Sequence, residues 1–143
     1  SEILQNELSR TSRVSDLFGL VILDIDYFKN INDTYGQQVG DTVLIDIATL
    51  IKQNIRSTDI AVRWGGEEFI VIFLHTNKSE LLRLSDNIRQ VINNHKFEIA
   101  GNRTVSVGVT LYKNGDDDIS IIKRADEALY EAKKSGRNRI KFL

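Results

Sequence analysis

Arg63-Trp64-Gly65-Gly66-Glu67-Glu68-Phe69 sits between two apolar runs, and its reading decides how the chain folds. Two adjacent glycines relax the backbone and let it approach another molecule closely. Two carboxylates follow at once, and Phe69-Ile70-Val71-Ile72-Phe73-Leu74 reads as a strand buried on both faces. Such a strand belongs at the centre of a sheet. A hairpin over residues 59–63 and 68–74 therefore carries acid at its tip, at the sheet's end, where a site can be open on rigid support. Taken alone, Gly-Gly with two glutamates is equally consistent with a tight turn and solvated side chains.

The 143 residues are about one domain's worth, and 41% hydrophobic content can build a core. Lys plus Arg number 19 against 20 for Asp plus Glu, so no global basic field is present and no nucleic-acid partner is expected. Recognition of phosphate has to be local. The absence of cysteine excludes a disulfide framework and a thiolate metal site. His75 and His95 are far apart and form no ligand motif. No apolar run is long enough to span a bilayer, so no membrane contact is expected within this chain. The chain begins at Ser1 and contains no methionine, and is read as a piece of a longer polypeptide.

In order, residues 1–16 are polar with Ile3, Leu4, Leu8 and Val14 spaced for one face of a helix. Leu17 to Leu23 form an apolar run ending in Asp24-Ile25-Asp26, the pattern of a buried strand with acid at its carboxyl end. Alternation puts Asp24 and Asp26 on one face and Ile25 on the other. Tyr27 to Tyr35 predict a short helix or turn, Gly36 and Gly40 punctuate, and Asp41 is an N-cap for an amphipathic helix over 42–56. A second such helix covers 79–93. Thr104 to Val109 alternate as a strand with its valines on one face. Asp116-Asp117-Asp118 cap a helix over 119–134, whose inner face is Ile122, Ala125, Leu129 and Ala132; Gly136 stops it, and residues 139–143 are a last strand.

This order predicts an α+β fold: a ferredoxin-like βαββαβ core whose five-stranded, largely antiparallel sheet is covered by helices, in one domain over 1–143. Neighbouring central strands would bring Asp24 and Glu67 to one sheet edge. Hard carboxylate oxygens there suit magnesium, which is usually held by one or two carboxylates plus substrate phosphates. Lys29, Lys133 and Arg137 lie in loops or at helix ends, where cations reach phosphates. Taken singly, a lysine in a last helical turn complements the helix dipole and an arginine after a C-cap glycine is solvated.

Five motifs then stand in order: Leu23-Asp24-Ile25-Asp26-Tyr27-Phe28-Lys29-Asn30-Ile31-Asn32-Asp33, Gly40-Asp41, the Arg63–Phe69 stretch, Ala125-Asp126-Glu127-Ala128-Leu129-Tyr130, and Ala132-Lys133-Lys134-Ser135-Gly136-Arg137-Asn138. Together they resemble the GGDEF family of diguanylate cyclases, in a GGEEF variant, over almost the whole chain. The resemblance implies a palm-like, nucleotidyl-cyclase-like fold and condensation of two GTP into cyclic di-GMP with release of two pyrophosphates. It implies two Mg²⁺ per site, with Mn²⁺ as a substitute, held by Asp24, Glu67 and the Ile25 carbonyl. Glu68 would support the metal site or deprotonation of the 3′-hydroxyl. Asn32 and Asp41 would read guanine; Lys29, Lys133, Arg137 and the Phe28 backbone would hold phosphates; Gly65 and Gly66 would leave room for the nucleotide. Retention of Asp41 favours guanine in both halves of the product.

The resemblance also implies product inhibition by cyclic di-GMP at Arg56 and Asp59, in an Arg-x-x-Asp motif, with Asn87 where an arginine often completes that site and Arg83 or Arg89 as replacements. A homodimer is the implied active state, because each 3′-hydroxyl must attack the GTP held by the other chain. Tyr27 and Gln37 replace common histidines. The family's leading Asp-x-Leu-Thr turn has no counterpart, so the domain is expected to be truncated at its N-terminus and Arg63 to lack its usual partner. An upstream sensor or regulatory domain is expected in the full-length protein, with the chain in the cytoplasm, either free or as the cytoplasmic part of a larger, membrane-anchored bacterial protein. The rival reading is a catalytically silent domain that binds GTP or cyclic di-GMP; a third is a cyclase making a mononucleotide or mixed product.

Overall fold

Strand β1 (Phe18–Ile25) is the centre of the computed structural model, which describes residues 17–143 together with Glu2, Gln5 and Asn6. The helix expected over residues 1–16 falls outside the described residues, those three apart. All of β1 is buried, as a continuous apolar run requires, and it pairs antiparallel with β3 (Glu68–Leu74) on one side and β6 (Val105–Leu111) on the other. β2 (Ile60–Gly65) forms the edge beyond β3, and β7 (Arg139–Phe142) runs parallel to β6 at the opposite edge. The resulting order, β2-β3-β1-β6-β7, is the predicted βαββαβ core with one added strand.

Alternation along the strands sorts the core into two layers. Val21, Leu23 and Ile25 lie with Phe69, Val71, Phe73 and the three valines of β6. They face Ile31 of α1 (Phe28–Tyr35), Leu44 and Ile47 of α2 (Gln37–Gln53), and Leu81 and Ile88 of α3 (Lys78–Asn94). On the opposite face Leu20, Ile22, Ile70 and Ile72 pack against Ile121, Ala125 and Leu129 of α4 (Asp118–Lys134). The same parity puts Asp24, Asp26 and Glu68 on the α4 face, beyond the end of that apolar layer.

Three expectations are corrected. Helix α2 begins at Gln37, so Asp41 lies inside it and is not its N-cap. Gly40 lies within the helix, and a Cβ there would stand 1.8 Å from Asn32 Oδ1; the position is glycine to admit that side chain, not to break the helix. On α4 the fully buried residue is Ile121, while Ile122 packs beside the layer half-buried. A two-stranded hairpin, β4 (Lys96–Phe97) with β5 (Gly101–Asn102), was not predicted, since two-residue strands carry no periodic signal.

The acidic run before α4 does cap it. Asp117 accepts from the Ser120 N–H at 2.8 Å while its own N–H donates to Ser120 Oγ at 3.0 Å, a reciprocal capping box. Asp116 instead takes both ends of the Arg124 guanidinium, at 3.0 and 2.7 Å. Burial alone would raise its carboxyl, and hydrogen bonds from Arg124, the Lys113 N–H and Ser120 hold it below the ordinary value. α4 lies close on β6 because Gly108 has no side chain: a Cβ there would meet Ala125 O at 2.2 Å and Leu129 N at 2.4 Å. These are backbone atoms that cannot rotate away. Gly108→Ala is therefore expected to destabilise the fold by about 1–3 kcal/mol, read as a lower denaturant midpoint; an unchanged midpoint would contradict the close approach.

Candidate active site at the end of the central strand

Asp24 arrives at the end of β1 opposite Glu68 of β3 and Ser106 of β6. Glu67 follows at the hairpin tip, whose carbonyl accepts from the Ile25 N–H at 3.3 Å, tying the tip to the end of β1. Gly66 makes the turn at φ +37°, in the left-handed region, and a Cβ on Gly65 or Gly66 would meet nothing within 4 Å. The tip is therefore open as expected. Arg63 holds it from within, donating from Nε and Nη2 to the Gly66 carbonyl at 3.0 and 2.7 Å. The Gly66 carbonyl thus engages the arginine that was expected to lack its usual upstream partner.

Asp24 is only 6% exposed. Burial raises its carboxyl above the ordinary value, the Lys133 ammonium bonded to Oδ2 opposes this, and the Asp26 charge adds to the rise. Glu68 is pushed the same way, by burial first and then by the charges of Asp24, Asp126 and Glu67. Asp126 was not foreseen as part of the site, and burial raises its own carboxyl against the pull of Lys133. A signal was present: Asp126 and Lys133 are seven residues apart on one helix, which puts them on one face.

Among the described residues, two buried side-chain atoms have no hydrogen-bond partner: Asp24 Oδ1 and Asn32 Oδ1. Both belong to residues the sequence singled out. Asn32 sits on α1 over Gly40, whose built Cβ would also come within 3.3 Å of Phe28 Cζ, so Phe28, Asn32 and Gly40 form one contact group. Lys29 and Asp41 are exposed on α1 and α2. Arg137, after α4, places its guanidinium 4.9 Å from the Tyr27 ring centroid, and its charge reaches Asp24.

Arg56 and Asp59 lie elsewhere. Arg56 forks onto Asp59, Nε to Oδ2 at 2.9 Å and Nη2 to Oδ1 at 3.0 Å, and also donates to the Leu74 carbonyl at 2.5 Å. Asp59 further accepts from the Leu74 N–H at 3.2 Å. Leu74 is the far end of β3 from Glu68, about 20 Å away at the usual rise of a strand. On α3, Arg89 is engaged by Asp86 at 2.7 Å and by Asn138 Oδ1 at 2.9 Å, Arg83 is exposed, and Asn87 reaches Asn54 at 3.5 Å. A cavity of about 1010 Å³ runs along α4, lined by Trp64, Ile122, Asp126, Tyr130 and Phe142 among others; its lining shares Asp126 with the site and includes neither Asp24 nor Asn32. Among the described residues no three His, Cys, Asp or Glu side chains converge as a ready-made metal cluster, and no helix is long and apolar enough to cross a membrane.

The model of the family described as "Diguanylate cyclase, GGDEF domain" matches residues 1–139. The chain belongs to that family. It is 40% identical over 137 residues to diguanylate cyclase A of Treponema denticola, covering 93% of this chain and 37% of that protein. It is 38% identical over 143 residues to the response regulator PleD of Caulobacter vibrioides, covering 96% and 32%. It therefore spans about a third of the length of these curated relatives. The GGDEF domain of DgcB from Caulobacter crescentus in complex with c-di-GMP superposes with a TM-score of 0.94 at 34% identity, covering 99% of this chain and 86% of that one. The active GGEEF domain of a diguanylate cyclase from Vibrio cholerae gives 0.92 at 35%, covering 99% and 92%.

The raised carboxyl of Glu68 has a measurable sign. Its ionisation opposes folding, so its effect is absent well below the ordinary glutamate value of 4.5 and grows as pH rises through its folded pKa. Glu68→Gln is expected to melt higher than the native chain at pH 7 in chelator, with the gain shrinking as acid protonates the native glutamate. A gain that does not change with pH would contradict this.

Proposed function

We propose that this chain is the catalytic domain of a diguanylate cyclase that joins two GTP into cyclic di-GMP and releases two pyrophosphates. The observation that carries the reading is the pair of orphaned buried oxygens, Asp24 Oδ1 and Asn32 Oδ1, one opposite Glu68 at the end of β1 and one in a half-buried amide on α1. A buried carboxylate oxygen with no donor, among acids that repel one another, fits a divalent cation; a buried amide with an unmet acceptor fits a base edge.

Asp24, Glu67 and the Ile25 carbonyl would hold two Mg²⁺, which Mn²⁺ could replace, with Glu68 supporting them or the deprotonation of the 3′-hydroxyl. When bound, such a metal pair supplies charge neutralisation at the α-phosphate and acidifies the attacking hydroxyl. Asn32 and Asp41 pair with the donors and acceptor of guanine. Lys29, Arg137, Lys133 and the Phe28 backbone hold the triphosphate, Lys133 by turning from Asp24. Gly65 and Gly66 let the nucleotide lie against the hairpin. One domain orients one GTP, so a homodimer is the active state, and much of the acceleration comes from fixing two nucleotides in line.

Product inhibition through Arg56 and Asp59 belongs to the same proposal. It requires Arg56 to open its fork on Asp59, so the pair serves the fold as well as the ligand. A single catalytic domain under an upstream sensor domain, in the cytoplasm, completes the reading. The complex of the Pseudomonas aeruginosa diguanylate cyclase SiaD with its activator SiaC supports control by a partner.

Product formation from GTP and Mg²⁺ across a dilution series, with mass identification, tests it. Cyclic di-GMP should appear at a rate per chain that rises with protein concentration, and Glu67→Ala should lower kcat about a hundredfold or more. GTP binding without product at any concentration would establish the silent binder instead, and a mononucleotide or mixed product the related cyclase.

A further inference from the structure

Asp26 is a buried carboxylate that the proposed reaction does not use. It is 2% exposed and its partners all belong to the chain: Thr104 Oγ1 donates to Oδ2 at 2.6 Å, Ser106 Oγ to Oδ1 at 2.6 Å, and the Asn138 N–H to Oδ2 at 3.1 Å. Arg137 Nη1 stands 3.9 Å from Oδ1. One side chain thus joins the end of β1, the start of β6 and the loop between α4 and β7.

That loop is strained. Arg137 at φ 63° and Asn138 at φ 44° are both left-handed, a conformation that asparagine tolerates but that an arginine keeps only where the surroundings over-determine it. The surroundings are Asp26 on the Asn138 amide, Arg89 on the Asn138 side chain at 2.9 Å, and the Ala132 carbonyl on the Arg137 amide at 2.9 Å. Of these, the bond to Asp26 is the charge-assisted one on the backbone.

We propose that Asp26 is a positioning residue: by holding the Asn138 amide it fixes the left-handed pair at 137–138, and so presents the Arg137 guanidinium to a nucleoside triphosphate bound beside Asp24. The triphosphate half rests on the function proposed above; the link from Asp26 to the loop does not. Asp26→Asn keeps the shape but not the charge: an amide oxygen in the place of Oδ2 accepts from Thr104 and the Asn138 N–H only as a neutral group, and its Nδ2 faces Ser106 Oγ, which must reverse from donor to acceptor.

Backbone hydrogen exchange over residues 136–139 and calorimetric affinity for Mg·GTP, measured on the native chain, Asp26→Asn, Arg137→Ala and the double variant, test the two halves separately. Asp26→Asn is expected to speed loop exchange and to weaken GTP binding, each by about tenfold. The double variant should bind no more weakly than Arg137→Ala alone, because both substitutions remove the same guanidinium contact. Thr104→Val, which strips one donor, should move exchange and affinity in the same direction by less, and decides the matter if Asp26→Asn does not fold. Unchanged loop exchange overturns the link to the loop. Losses that multiply in the double variant overturn the route through Arg137, and a native chain that binds no GTP overturns the triphosphate half.

Discussion

The register of β1 is the constraint on which the site depends. Hydrogen-bonded on both sides, β1 sets Asp24 opposite Glu68 and Ser106, and no neighbour can slip by one residue without exchanging the two faces of the sheet. A slip would carry Asp24 into the layer of Val21, Leu23 and Phe69. The apolar run before Asp24 therefore does more than fill the core. It delivers a carboxylate to a buried position that an unconstrained chain would avoid.

Burial then makes the site uneasy without a ligand. Asp24, Glu68 and Asp126 are all held above their ordinary carboxyl values, chiefly by burial, with Lys133 opposing the rise at all three and Arg137 at Asp24. Asp116 is instead held below its ordinary value, and at both Asp116 and Asp59 arginine forks and backbone amides take up the carboxylate oxygens. Asp26 falls between, satisfied like a structural acid yet fixing a loop that carries a cation of the site. Local rules broken at one place and kept at another distinguish sites from scaffold.

The hairpin, the central strands and the helices were legible because they rest on long runs with a clear period, as at Leu20 to Leu23 and Phe69 to Leu74. What was missed depends on contacts distant in sequence. Gly40 reads as punctuation until Asn32 is seen to occupy its missing Cβ, which also moved Asp41 from cap to helix interior. Ile121 replaced Ile122 inward because adjacent isoleucines leave the helical phase open. The topology led to the expectation of Asp24 and Glu67 at one sheet edge but did not single out Glu68 as the residue directly opposite Asp24, and the ties from Asp26 to Thr104, Ser106 and Asn138 join three separate segments that no spacing announces.

The most direct test of the account is the thermal midpoint with Mg²⁺ and a non-reacting GTP analogue, native chain against Asp24→Asn. If the orphaned oxygen of Asp24 is a cation position, metal and analogue together should raise the native midpoint, by an amount equivalent to about 2.7 kcal/mol at a hundred times the dissociation constant. Chelator should abolish the rise, and Asp24→Asn should lose most of it. An equal rise in both proteins, or one that survives chelator, would contradict the account.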